Sequence, residues 1–343
     1  MHDVDALRDM IWRRLDEQQN SDSGNYLVFL PVACGLGGQT TGRLLSLMVG
    51  LALGRKTVFL SVEDPPYGQT FQAMHPPVDL SQGLEKAPLV SLRENQLERI
   101  VVYDPMRISF DDPEQDDILL RLVSEQVGAL VADRHLLEGV LFNWMRPTPS
   151  MLAYCEAQRE RLGVGRDTLG VHFRRGDKVV ETAFVPAEEF NRNIASIHKL
   201  WPFTSLFLAS DSARAPEEIR CPPGVQLIFD TAEQRYNNAN HKMLLKAPEL
   251  VEQETQVAYK NIYLLSQCGG LVGQDNAHFA TLAAASVLAH TGQSERICLI
   301  DGRIAEKGSA VLAKYFSVKK QIRAIARRML PFMTMSARMN NRR

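Results

Sequence analysis

Cysteine is scarce in this chain. The five present, Cys34, Cys155, Cys221, Cys268 and Cys298, are scattered, odd in number and free of any Cys-x-x-Cys spacing. That speaks against a disulfide framework and against a structural zinc site. Long apolar runs are also missing: the richest stretches, near 44–53 and 281–289, fall short of the ~20 residues a membrane-spanning helix needs. The opening Met-His-Asp-Val-Asp has neither a basic n-region nor an apolar h-region, so no signal peptide is expected and the cytoplasm is the expected compartment. No internal repeat and no low-complexity tract interrupts the chain. Net charge is nearly absent, at −1, yet unevenly spread. From Lys314 onward there are nine basic residues and no acidic one, which leaves the rest of the chain acidic. A basic tail on an acidic body is not the charge pattern of a nucleic-acid binder, which would spread cations over a face.

What is present is the composition of an ordinary globular protein, and at 343 residues the chain exceeds the ~250–300 residues to which one hydrophobic core grows. Apolar runs short enough for buried strands alternate with helical patterns. The first half reads as a helix over Asp5–Glu17, a strand over Tyr26–Pro31, a Gly-rich loop Cys34-Gly-Leu-Gly-Gly-Gln-Thr40, a helix over Gly42–Leu53 and a strand over Lys56–Ser61. A long Pro- and Gly-rich loop, a strand at Arg99–Tyr103 and helices over Asp116–Gly128 and Leu136–Trp144 follow. The β-α-β order predicts a parallel sheet. Arg146-Pro-Thr-Pro149 interrupts the pattern, since proline ends helices and extends the residue before it. The second half repeats the alternation, with strands at Thr168–Phe173, Ser205–Ala209, Val225–Phe229, Gly270–Gly273 and Arg296–Ile300. Its helices are expected over Met151–Leu162, Ala187–Lys199, Glu254–Gln267 and Asn276–Ala289. The predicted architecture is α/β: two Rossmann-like domains over 1–147 and 148–301, each with a mostly parallel sheet, and a tail over 302–343. In such sheets ligands bind beyond the carboxyl ends of the strands.

Two segments fall at that position. Directly after the Thr168–Phe173 strand come Arg174, Arg175, Gly176, Asp177 and Lys178. Three cations at a strand end are costly to bury unpaired. They fit a pyrophosphate, to which arginine donates bidentate charge-assisted bonds; they equally fit a solvated turn with a salt bridge. The Gly-rich loop 35–38 allows close backbone approach to a ligand, and a helix after it would aim N–H groups at a phosphate. It is neither Gly-x-Gly-x-x-Gly nor a P-loop, and a tight strand–helix turn is the more common meaning of such a stretch.

The segment Gly170–Phe184, GVHFRRGDKVVETAF, resembles the signature of the α-1,6-fucosyltransferases, the group that holds the N-glycan core enzyme and the rhizobial nodulation enzyme. Gly35-Leu-Gly-Gly-Gln39, Trp144-Met-Arg-Pro-Thr-Pro149, Phe184-Val-Pro-Ala-Glu-Glu-Phe190, Leu208-Ala-Ser-Asp-Ser212, Leu264-Leu-Ser-Gln267 and Gly270-Leu-Val-Gly273 follow the family in the same order. The resemblance implies a GT-B fold of two facing Rossmann-like domains and an inverting transfer, without metal or other cofactor, from GDP-fucose or another nucleotide sugar to a glycan acceptor. It implies Arg174 at the donor β-phosphate, His172 at the base, Arg175 and Asp177 in support, and Gly37 and Gly38 where the first domain approaches the phosphates. Asp211 joins the donor-site set. Lys178 and Glu181 fall on the acceptor side, Glu181 as the base that deprotonates the acceptor hydroxyl and Lys178 as its partner. Three departures stand out. Lys178 and Glu181 are one residue closer than in the N-glycan enzyme. Asn261 replaces a base-reading Asp, and Asn276-Ala-His278 replaces a Ser-Ser-Gln phosphate loop. Asn261, Asn276 and His278 are therefore the candidates for donor contacts at those positions. The departures keep a second reading open, a nucleotide-sugar-binding protein with a different donor or without catalysis.

In the tail, Val318, Ile322, Ile325 and Met329 fall at helical spacing among Lys319, Lys320, Arg323, Arg327 and Arg328. A basic amphipathic helix of this kind lies on an anionic membrane face or packs on the body; the pattern fits both.

Overall fold

The computed structural model describes residues 4–21, 24–29, 34–59, 70–71, 80, 83–104, 112–175, 184–235 and 247–304. Helix α1 (Val4–Asn20) leads into strand β1 (Tyr26–Phe29), helix α2 (Leu36–Ala52), β2 (Lys56–Phe59) and β3 (Ile100–Tyr103). Helices α3 (Pro113–Val127), α4 (Arg134–Trp144) and α5 (Pro149–Leu162) follow. The second series is β4 (Thr168–His172), α6 (Ala187–Leu200), β5 (Ser205–Ala209), the single turn α7 (Ala215–Glu218) and β6 (Gln226–Ile228). It closes with α8 (Pro248–Gln267), β7 (Gly270–Gln274), α9 (His278–Thr291) and β8 (Ile297–Ile300).

The strands form two sheets, ordered β2-β1-β3 and β6-β5-β4-β7-β8, and every recorded strand pair is parallel. The α/β expectation therefore holds. The strands read as continuous apolar runs because both faces are covered. In β5 the two-residue alternation is visible: Leu206 and Leu208 join Phe190, Ile194 and Ile197 of α6, whereas Phe207 and Ala209 meet Leu264 and Leu265 of α8 and Ala283 of α9.

One sequence expectation is overturned. The Gly-rich stretch is not a loop but the first turn of α2, which begins at Leu36 and takes in Gly37, Gly38 and Gly42. None of these glycines has a positive φ; their use is close packing. A Cβ at Gly42 would meet Phe29 Cζ at 2.6 Å, and one at Gly37 would meet Phe279 Cδ1 at 2.9 Å. Glycine in a helix costs roughly 1 kcal/mol against alanine, so periodicity alone places the start too late. Helix α8 likewise begins at Pro248 rather than Glu254, with proline at a first-turn position where its missing N–H is harmless.

The two halves are not separately cored. Tyr259 and Ile262 of α8 and Leu282 and Ala289 of α9 belong to the apolar cluster built on α1, α2 and α4. Gly139 of α4 lies so near α9 that a Cβ there would sit 1.9 Å from the carbonyl oxygen of Ala285. The segment 305–343, with the basic tail, lies outside the described residues.

Candidate functional site

The five-stranded sheet changes winding direction at one place. The crossover from β4 to β5 runs through α6 on one face, and that from β6 to β7 through α8 on the other. The crevice at the carboxyl ends of β4 and β7 is thus the topological switch point, where α/β sheets bind ligands. His172 is the last residue of β4, with Arg174 two positions on, and Asp275 and Asn276 leave β7 opposite. Helix α9 starts at His278 and points its N-terminus, an anion-favouring end, at the same crevice.

The three-stranded unit reaches this point with the N-terminus of α2. Thr41 Oγ1 lies 3.0 Å from His278 Nδ1, and Gly37 lets the helix rest on Phe279. At Gly38 a Cβ would lie 2.9 Å from Cys34 Sγ and 3.6 Å from His278 Nε2. Phe279 in turn stacks on His172, with centroids 5.5 Å apart and planes at 30°. The structure therefore brings Gly37, Gly38, His172 and His278 into one chain of contacts, with Arg174 beside His172. Asn276, exposed, packs against Gly302, where a Cβ would meet its Nδ2 at 2.1 Å.

His172 is 7% exposed, and its Nδ1 is buried without a hydrogen-bond partner. Burial first, and the Arg174 charge second, lower its pKa to about 3. The imidazole is neutral at neutral pH and offers one donor and one acceptor. Asn261 on α8 gives its Nδ2 to Glu233 Oε1 at 2.9 Å and leaves Oδ1 buried without a donor. Its neighbour Lys260, 1% exposed, bonds Asp230 at 2.7 Å and Glu233 at 3.1 Å. Burial pushes the Asp230 carboxyl up, but Lys260 and Arg161 outweigh it and the net shift is downward. This network floors an open cavity of about 480 Å³ between α5, α8 and residues 230–234.

Arg175, expected in support, and Asp211, expected in the donor-site set, meet each other at the turn after β4. The Arg175 guanidinium bonds Glu218 Oε2 at 2.8 Å and the Val185 carbonyl at 3.0 Å, and it stacks 4.2 Å from the Phe173 centroid. Asp211 accepts the Arg175 backbone N–H at 2.7 Å. Both brace the turn after β4. Asp177, Lys178 and Glu181 lie outside the described residues.

Thr41, Phe279 and Glu233 were not legible in the sequence as site residues. Thr41 and His278 are 237 positions apart, and no local pattern joins them. Phe279 alone carried a signal, standing next to an expected contact at the start of an apolar helix. Among the described residues no group of three or more His, Cys, Asp or Glu side chains could hold a metal ion, and no helix is long and apolar enough to cross a membrane. All five cysteines are free.

No protein-family profile matches the sequence, and no curated protein does. Solved structures do match. A mutant of Arabidopsis thaliana FUT1 in complex with GDP is 15% identical, with a TM-score of 0.46 over 80% of this chain and 72% of that one. Fucosyltransferase NodZ from Bradyrhizobium is 15% identical, with a TM-score of 0.40 over 76% and 92%. POFUT1 in complex with GDP-fucose is 13% identical, with a TM-score of 0.39 over 82% and 99%.

Proposed function

We propose that this chain is an inverting glycosyltransferase that binds a nucleoside-diphosphate sugar in the crevice between β4 and β7, with GDP-fucose as donor and a glycan hydroxyl as acceptor. The observation that carries this reading is the pairing at the end of β4. A buried neutral imidazole with an unpartnered Nδ1, His172, stands beside Arg174 and opposite the N-terminus of α9. Buried polar atoms are almost always hydrogen-bonded, so an unpartnered one at a switch point calls for a ligand. A neutral ring suits a nucleobase or ribose, and Arg174 with the helix N-terminus suits the diphosphate. The Asn261 Oδ1, also buried and unpartnered, is an acceptor for the N–H edge of a base such as guanine. The ordered sequence resemblance supports the same assignment.

In this reading the acceptor oxygen attacks the anomeric carbon, the bond from that carbon to the β-phosphate oxygen breaks, and its electron pair leaves with the nucleoside diphosphate. Glu181 takes the hydroxyl proton, with Lys178 beside it, and Arg174 meets the charge that develops on the leaving phosphate. His278 from the first turn of α9 and Asn276 just before that helix add donors at the phosphate, Gly37 and Gly38 keep that approach open, and Arg175, Asp177 and Asp211 hold the turn. Asn261 in place of a carboxylate leaves a second reading, the same fold serving a different donor base. A thermal-shift panel of GDP, UDP, ADP, CMP and their sugars tests both. Stabilisation by GDP and GDP-fucose above the rest is expected, and no shift with any nucleoside diphosphate would sink the donor site. The basic tail is assigned here to peripheral contact with an anionic membrane that carries the acceptor.

A further inference from the structure

The carboxyl end of the three-stranded sheet holds a second concentration of unsatisfied polar groups, away from the donor crevice. Phe29, Phe59 and Tyr103 end their strands in register and cluster, with Phe29 6.2 Å from Phe59 and 6.3 Å from Tyr103 between ring centroids. Arg43 of α2 lies over this floor, its guanidinium 5.3 Å from the Phe59 ring and 5.6 Å from that of Phe71. Arg43 is only 8% exposed, and among the described residues its guanidinium meets the two rings. Burial accordingly lowers its pKa, but an arginine stays charged in a protein. A largely buried cation packed on rings favours an anionic partner. Around it, three buried polar atoms lack a hydrogen-bond partner: the Tyr103 hydroxyl, Thr70 Oγ1 next to Phe71, and Gln39 Oε1. Gln39 stands one helical turn before Arg43 and so on the same face of α2. Burial also keeps the Tyr103 phenol protonated, so it remains a donor.

These four groups around an aromatic floor describe a ligand with an oxyanion, hydroxyls that both donate and accept, and an apolar ring face. We infer that this end of the first sheet binds an acidic sugar, with Arg43 taking its carboxylate or phosphate in the bidentate manner of guanidinium–oxyanion pairs. Arg43 follows Gly37 by six residues along α2, about 9 Å of helix rise, which separates this site from the donor contact at Phe279. That the sugar is the acceptor rests on the glycosyltransferase reading; the oxyanion site does not.

The test is calorimetric titration of the full chain, without donor, with glucuronate, glucose 6-phosphate and glucose. At least one of the two anionic probes is expected to bind about ten-fold or more tighter than glucose, an ordinary return for one desolvated charge pair; which of them does so separates carboxylate from phosphate. Arg43→Met should abolish that preference. Tyr103→Phe should weaken the probe several-fold. In both variants GDP affinity should be unchanged, whereas Arg174→Ala should lose GDP and keep the anionic probe. The inference is overturned if neither anion is preferred over glucose or if folded Arg43→Met keeps the preference. Should Arg43→Met fail to fold, Tyr103→Phe decides alone, and undiminished probe affinity there overturns the inference.

Discussion

The two parallel sheets end in different chemistry. At the carboxyl end of the three-stranded sheet stand three aromatic residues, Phe29, Phe59 and Tyr103, with one buried arginine above them. At the carboxyl end of the five-stranded sheet stand His172, Arg174, Asp211 and Asp230, and most of the charge there is matched: Arg175 with Glu218, Lys260 with Asp230 and Glu233. The second sheet can hold its ionic groups in place because they neutralise one another, and the His172 Nδ1 and Asn261 Oδ1 are among its buried atoms without a hydrogen-bond partner. The first sheet presents a ring surface and an arginine that, among the described residues, packs on rings. A sheet end that is preorganised by its own ion pairs suits a fixed polar ligand such as a diphosphate; an aromatic end suits the face of a sugar.

The contrast can be broken most sharply at Arg174. Arg174→Ala is expected to lower kcat/KM for donor turnover about 10²- to 10³-fold, and a variant with near-normal turnover would take the phosphate away from the β4 end. Lys260→Met should come next. Removing the cation leaves Asp230 and Glu233 buried with too little positive charge, and losing one partner of a buried pair typically costs about 3–5 kcal/mol, read as a shift in the urea midpoint. Gly139→Ala tests whether the two sheets share one structure. Its Cβ would fall 1.9 Å from a backbone oxygen of α9, so overpacking should cost roughly 1–3 kcal/mol. Gly163, the left-handed residue after α5 at φ 68° with open space around it, should cost about 1 kcal/mol as alanine. Equal losses at the two glycines would show that the α4–α9 contact is dispensable.

A pH dependence separates the sheets as well. The pKa of His172, and likewise that of His290 on α9, is lowered to about 3, mainly through burial. The unfolded chain binds these protons near pH 6.5 and the folded chain does not. Stability from both is therefore complete above pH 6.5 and lost as pH falls toward 3, by about 1.4 kcal/mol per pH unit for each histidine. Replacing both with glutamine should flatten the slope of unfolding free energy between pH 6 and 4; an unchanged slope would mean that neither imidazole is kept neutral. The smallest effect belongs to Arg303. Fully exposed, it pairs with Asp301 at 2.7 Å, and Arg303→Ala should leave the melting temperature within experimental scatter.

The periodicity of the sequence foretells most elements within a few residues, since buried parallel strands such as Val28 and Val102 sit in short apolar runs and α6 has a clear apolar stripe. It misplaces the start of α2, because Gly37 and Gly38 read as loop-formers until their neighbours are known. The proposed donor crevice was legible where a motif is local, at His172 and Arg174. It was illegible where contacts are long-range, as between Thr41 and His278 or Asn261 and Glu233. Arg175 shows the limit most plainly: adjacent to Arg174 and chemically identical, it differs only in facing Phe173, Glu218 and Val185.

By itself, then, the sequence determined the α/β alternation, the parallel strands and the presence of cations at the end of β4, because each of these follows from side-chain period and from a few adjacent residues. The tertiary structure decided which arginine braces the turn and which stands at the crevice, that the glycines of α2 serve packing rather than backbone freedom, and that Arg43 lies largely buried over the Phe59 and Phe71 rings. These are properties of distance between residues far apart in the chain, and distance across a core depends on the packing of every element between them.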